Sequence, residues 1–386
     1  MIGAILVLTS ASLATFDSGS DGSDGAFSPQ FSMVIDLADA ATASWNTPSP
    51  VSGNGVYDPQ QWAVVFKYTT IDIPPKVIVT FKNHPSGAPV IWLASGDVNI
   101  DGQIKLDGSS AALFASPPSY AAPGPGGFTG GLRFSGSTPP ASGGFGPGGG
   151  NQDSGGNYSS SYGNVNIVPL IGGSGGGGNQ NGGGAGGGAI LIASSTIIDI
   201  GASGSVTANG GSVLEGAGGA GSGGAIRLVA NQVGGQGQLR ARPGSGFYSG
   251  QNGRIRIDAD VVTLTDLGIP NWITDLAPMP VFPAVNAPIL QVTTIAGQPV
   301  PTDPDATIYT TETILNTGLP VTVGIEARNI PASTTVNVRV VPARGAPFTV
   351  TSTPLVQQGG GVLTANATVT FPSGKSEIQL RANWTP

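Results

Sequence analysis

The sequence predicts an all-β protein: a parallel β-helix with Gly-rich insertions on one edge, followed by an immunoglobulin-like β-sandwich. Three observations carry this. A three-strand motif recurs from Trp62 onward, glycine accumulates at one phase of that repeat, and short alternating strands fill 289–386. Composition agrees. Of 386 residues, 63 are Gly and 32 Pro, while only 10% are charged and 6% aromatic; roughly 25% charged is usual. Helix formers and basic residues are both scarce, which excludes a coiled coil, a helical bundle and a nucleic-acid binder. A hydrophobic fraction of 39% is too high for ordinary disorder. The net charge of −7 leaves no polybasic patch for an anionic membrane. With no Cys, disulfides, thiolate metal sites and Cys nucleophiles fall away together.

The lead-in, 1–61, opens on an apolar stretch carrying Ile2, Ile5, Leu6, Val7 and Leu8, without Lys or Arg through residue 14. A secretory signal has a basic start and about 15–30 residues. The stretch is therefore either a truncated signal or a retained, β-prone strand. Nothing in the chain reaches the roughly 18 apolar residues that cross a membrane as a helix. Asp17, Asp21 and Asp24 then alternate with Gly and Ser. Hard oxygens in a flexible loop suit Ca²⁺. The spacing does not fit an EF-hand loop, and an ordinary polar turn is the other reading.

The repeat occupies 62–265. Strand-like runs at 63–68, 71–73 and 77–82 return in the same order at 90–95, 98–101 and 103–108. They return again at 189–194, 197–200 and 204–209, then at 225–230 and 238–241, and finally at 254–258 and 261–264. First strands recur at Val64, Ile91, Ile190, Ile226 and Ile255, at intervals of 27, 99, 36 and 29. One coil of a solenoid buries its apolar face only against the next, so Ile190, Ile192, Ile226 and Leu228 are expected to face a dry stack.

Extra residues always follow the third strand. The segments 109–188, 210–224 and 243–253 are all Gly-rich, and 44 of the 63 glycines lie within 124–256. Insertions at one phase of a solenoid leave from one corner and should lie side by side. Runs of this kind can be flexible linker. They can also be polyproline-II-like strands packed laterally, since only Gly lets backbones approach that closely. Side-by-side placement favours packing.

Beyond the repeat, 266–288 contains Pro270, Pro278, Pro280, Pro283 and Pro288, and reads as a semi-rigid linker. Seven strand-like runs follow, at 289–295, 307–315, 321–327, 335–341, 347–353, 362–371 and 376–384. Their alternation and turn spacing suggest the sandwich.

The run from Asn54 to Phe66, the run from Val79 to Pro85, and the repeated Gly-Ala-Ile at Gly188 and Gly224 resemble a group of glycine-rich exported bacterial proteins. These are mostly uncharacterised and read as β-helical surface or secreted proteins, so the resemblance implies an extracellular location over about 18–260. The composition of the insertion is also similar to phage tail-tip adhesins built on packed polyglycine helices.

Residues for chemistry are few. His84 is the only His, sits in the turn Asn83-His84-Pro85-Ser86-Gly87, and reads as turn-capping or stacking. Pectinase-like enzymes on this fold need clustered acids. The candidates are Asp97, Asp101, Asp199, Asp258 and Asp260, the last two sharing a strand face with Arg254 and Arg256 nearby. A salt-bridged surface ladder explains that pattern more simply. Aromatic residues Phe128, Tyr158 and Tyr162 punctuate the Gly-rich insertion and could stack on sugars. The expected protein is a non-enzymatic, extracellular structural one. Its partner is itself, joined into a filament or surface layer by strand addition through Ile2, Ile5, Leu6, Val7 and Leu8. A carbohydrate-binding adhesin on surface glycans is the alternative, then a polysaccharide lyase or hydrolase. No nucleic acid, membrane span or cofactor other than Ca²⁺ is implied.

Overall fold

The protein is all-β in a computed structural model. The described residues are 16–384 apart from 112–119, 134–140, 151–158, 160–162, 164, 215, 285 and 302–311. Strict alternation of apolar residues turns one face of each strand inward. Here the repeats use that pattern in register, one above another, as rungs. Ala63–Ile73, Val90–Ala94, Ala189–Ile200, Ala225–Gly235 and Arg254–Val262 pair in parallel, successive neighbours in one sheet. Ile78–Lys82, Gln103–Lys105, Ser205–Thr207 and Gln238–Arg240 stack likewise in a second sheet. Between the sheets lies one dry core, in which Ile190, Ile192, Ile226 and Leu228 are fully buried as expected.

Three features differ from the sequence reading. The first and second expected strands of several repeats are continuous, as in Ala63–Ile73 and Ala189–Ile200. The second rung is in register through Val90, not Ile91: Val64, Val90, Ile190, Ile226 and Ile255 form the column. Shifting by one residue swaps the faces. Every residue of Val90–Ala94 is buried, so alternation there carried no information. The lead-in also supplies an unexpected rung, with Gly25–Phe27 beside Ala63–Ile73 and Met33–Asp36 beside Ile78–Lys82, both parallel.

The outer face of the first sheet is covered as well. Val65, Ile91, Leu191 and Val229 pack there, with Phe16, Trp45, Val281 and Phe282 laid across them. The stretch expected to act as a spacer is therefore held along part of its length. Ile273–Asp275 pairs with Arg254–Val262, and Phe282 packs against Trp45 in a tilted arrangement with ring centroids 4.3 Å apart.

Residues 289–384 form two antiparallel sheets around a separate core of Val323, Ile325, Val336, Val338, Val340 and Leu363. Six of the seven expected strands are present, 347–353 shortened to Phe348–Thr351, and Gln298–Pro299 and Val356–Gly359 are additional. The expected strand 307–315 lies mostly outside the described residues, and 312–315 is not strand.

Candidate functional site

The Gly-rich segments leave the second sheet after Lys105, Thr207 and Arg240, three strands that are lateral neighbours. Their described residues lie outside strands and helices, and the runs 172–178, 181–188 and 218–224 are buried, yet backbone hydrogen bonds tie these runs to their neighbours. Along 219–224, successive N–H groups donate in rotation to three different neighbours. Gly219 and Ser222 donate to Gly177 and Ser174, Ala220 and Gly223 to Tyr248 and Gln251, and Gly221 and Gly224 to Gly211 and Ala208. The segment 183–188 does the same, Gly183 and Gly186 reaching Gly131 and Phe128, Gly184 and Gly187 reaching Gly219 and Ser222, Ala185 and Gly188 reaching Ser109 and Leu106. A return every third residue is the period of polyproline II. The result is a lattice bonded in three directions rather than a sheet. Glycine is required by contact distance: a Cβ at Gly175, Gly183, Gly186 or Gly221 would lie closer than 3.0 Å to a backbone carbonyl of a neighbouring segment. The linker reading of these runs does not hold.

The lattice carries the C-terminal unit on one side. Phe128 and Phe145 emerge from it and close against Val341, with Trp62, Tyr120 and Ala343 around them. Arg339 donates from Nη1 to Gly146 O and from Nη2 to Gly149 O, both at 3.2 Å, and from Nη1 to Gln379 Oε1 at 2.9 Å. Phe128 is thus an anchor of this junction and only 7% exposed. It cannot offer a face to a sugar. Tyr158 and Tyr162 lie outside the described residues.

Asp17, Asp21 and Asp24 do not converge. Asp17 Oδ1 accepts from Gly19 N, and Asp21 pairs with Lys67 Nζ at 3.4 Å. Asp24 is buried and accepts from Ser49 Oγ and from the N–H groups of Gly53, Gly55 and Lys67. The Lys67 ammonium, fully buried and also bonded to Thr47 O, supplies the cation this loop uses. The Ca²⁺ expectation is corrected accordingly; among the described residues no group of three or more His, Asp or Glu is placed to hold a metal ion.

His84 stacks on Tyr57, with ring centroids 4.1 Å apart, and its Nδ1 accepts from Ser86 N at 3.1 Å, so it organises a turn. The expected surface ladder at Asp258 is instead a buried network. Asp258 lies between Arg227 (3.0 Å) and Arg256 (2.7 Å), all three nearly inaccessible. Arg227 is closed off by Pro280 O and Val281 O. Arg227 and Arg256 are direct cross-strand neighbours, a repulsive pairing that Asp258 relieves. Sequence reasoning passed over Lys67, Arg227 and Arg339. A single cation inside an apolar strand, as in Ile226-Arg227-Leu228, was the available signal for the first two.

Asp266 gives a pH signature. Burial alone would raise its pKa, but bonds from Arg240, Leu239 N and Gly268 N, with the Arg240 charge, hold it below the ordinary value of 3.8. A depressed folded-state pKa stabilises above the unfolded value, and that gain is lost as pH falls through the folded one. Asp266→Asn should therefore be less stable than wild type near neutrality, the gap closing below pH 3.8. Denaturant melts of both proteins across that range check it.

The two ends of the stack differ. At the first-rung end, Met33–Asp36 is an edge strand of the second sheet, and Phe31, Met33 and Val34 are exposed there. At the last-rung end, Leu267, Ile269, Ile273 and Leu276 are exposed, with Pro270 and Pro278 near them in the sequence. The Ile2, Ile5, Leu6, Val7 and Leu8 segment lies outside the described residues. No helix among the described residues is long and apolar enough to cross a membrane. No family model, curated protein or solved structure matches the chain.

Proposed function

We propose that the chain is an extracellular structural protein whose copies join by β-strand addition into a filament or surface layer. In this reading the stacked rungs are a parallel β-helix, the glycine lattice lies along its edge, and the C-terminal unit is an immunoglobulin-like sandwich. The observation that carries it is the lattice. Backbone bonding in three directions makes a stiff body that resists bending, and the sandwich is fixed to it through Arg339 and the Phe128–Phe145–Val341 cluster. Such stiffness serves load and spacing. The one deeply buried carboxylate flagged for acid–base work, Asp258, is clamped between two guanidiniums, which favours a structural over a hydrolytic role. Negative-stain microscopy of the purified full chain tests the reading: regular filaments or sheets are expected. Uniform monomers at high protein concentration would overturn it.

A further inference from the structure

Resting on that self-assembly reading, the geometry points to which surfaces form the joint: residues 2–8 of one copy pair with the edge strand Met33–Asp36 of a second copy. The argument starts from the path of residues 16–20, which run along the stack against the order of the rungs. Ser20 Oγ donates to Tyr68 O on the first full rung and Ser18 Oγ to Ala94 O on the second. Ser18 N donates to Ser195 Oγ on the third, and Phe16 N to Asn231 Oδ1 on the fourth. Four residues therefore cross three strand spacings of about 4.8 Å each. Phe16 thus stands at the fourth rung, with only Arg254–Val262 and Ile273–Asp275 between it and the last-rung end of that sheet. Residues 20 to 16 run toward the last-rung end, and the fifteen residues that precede them have an extended reach of about 50 Å.

That end of the same chain is a poor acceptor. Its edge strand is only the three residues Ile273–Asp275, with Pro270 and Pro278 close on either side in the sequence, so a longer strand would meet prolines that lack the needed donors. The opposite end is open. Met33–Asp36 pairs on one side only, and Phe31 and Val34 beside it are 83% and 63% exposed. In its own chain this edge lies behind the direction in which residues 20 to 16 run; in a second copy stacked on the last-rung end it lies ahead. The segment brings apolar Ile2, Ile5, Leu6, Val7 and Leu8 to apolar Phe31, Met33 and Val34, without a charge on its side. One surface meets a different one, so the contact is heterologous and repeats without closing.

The chain has no Cys, so introduced thiols report without background. Full-length chains carrying Ile5→Cys or Val34→Cys are mixed and mildly oxidised, and the double variant is oxidised alone. Mixed single variants should give a disulfide-linked heterodimer, and the double variant a ladder of multimers on a non-reducing gel. Val34 is exposed, so its replacement leaves folding intact. A monomeric cross-link in a chain carrying Ile5→Cys with Ile273→Cys would show instead that the segment caps its own end. Normal filaments with no disulfide between the thiols introduced at Ile5 and Val34 would overturn this joint while leaving self-assembly standing. Absence of filaments in the wild-type chain would remove both.

Discussion

Gly176→Ala is expected to destabilise the fold by about 3 kcal/mol, at the upper end of what overpacking usually costs. A methyl at that position would sit closer than 3.0 Å to Gly219 O and Ala220 O, both of them backbone. Gly219 O accepts from Gly184 N, and Gly176 N donates to Gly184 O. Moving aside would therefore loosen several bonds, each worth about 1 kcal/mol, and no flexible side chain can absorb the shift. Gly318→Ala is the control, because nothing lies within 4 Å of its Cβ position. Calorimetric melting should show a lower Tm for Gly176→Ala and an unchanged or slightly higher one for Gly318→Ala. Coincident curves for Gly176→Ala and wild type would mean that the lattice is not close-packed.

The second large effect is expected at Asp258→Asn, which should cost about 3–5 kcal/mol by leaving two buried guanidiniums without their counter-charge. Burial pushes the Asp258 carboxyl up, against the pull of Arg227 and Arg256, and pushes the Arg227 guanidinium down. Replacing Asp258, Arg227 and Arg256 together by Leu, Met and Met should then recover most of the loss, as happens when a buried ion cluster is exchanged for apolar side chains of similar volume. Denaturant titration of the single and triple variants separates these outcomes. A single variant as stable as wild type would show that the two guanidiniums do not depend on Asp258 for their counter-charge.

Much of the fold was legible because stacked repeats write their period into the chain. Rungs related by a parallel register bury the same column repeatedly, so Val64, Ile190, Ile226 and Ile255 announce themselves. Where that signal failed, the reason is burial on both faces. Val90–Ala94 shows no alternation, and the reading slipped by one residue. The lead-in rung was missed because Gly25–Phe27 and Met33–Asp36 are too short for a period to be read. The sites fared worse. Phe128 was visible as an aromatic among glycines, but whether such a ring faces solvent or a neighbouring unit depends on what docks there. Arg339 was not distinguishable from any other polar residue on an alternating strand.

By itself the sequence determined that the chain is all-β, that a three-strand unit repeats, that Ile190, Ile192, Ile226 and Leu228 line the dry core, and that glycine collects at one phase of the repeat. Each is a local or periodic property, set by side-chain size and polarity at a given spacing. Only the tertiary structure decided that the glycines form a bonded lattice rather than a tether, that Lys67 supplies the charge opposite Asp21, and that Asp258 is locked between two arginines. Those outcomes depend on partners from roughly 30 to 50 residues away in the chain, such as Gly219 over Gly176 or Arg227 beside Asp258. Hydrogen bonds and ion pairs of that range are set by three-dimensional proximity, which no short-range pattern encodes.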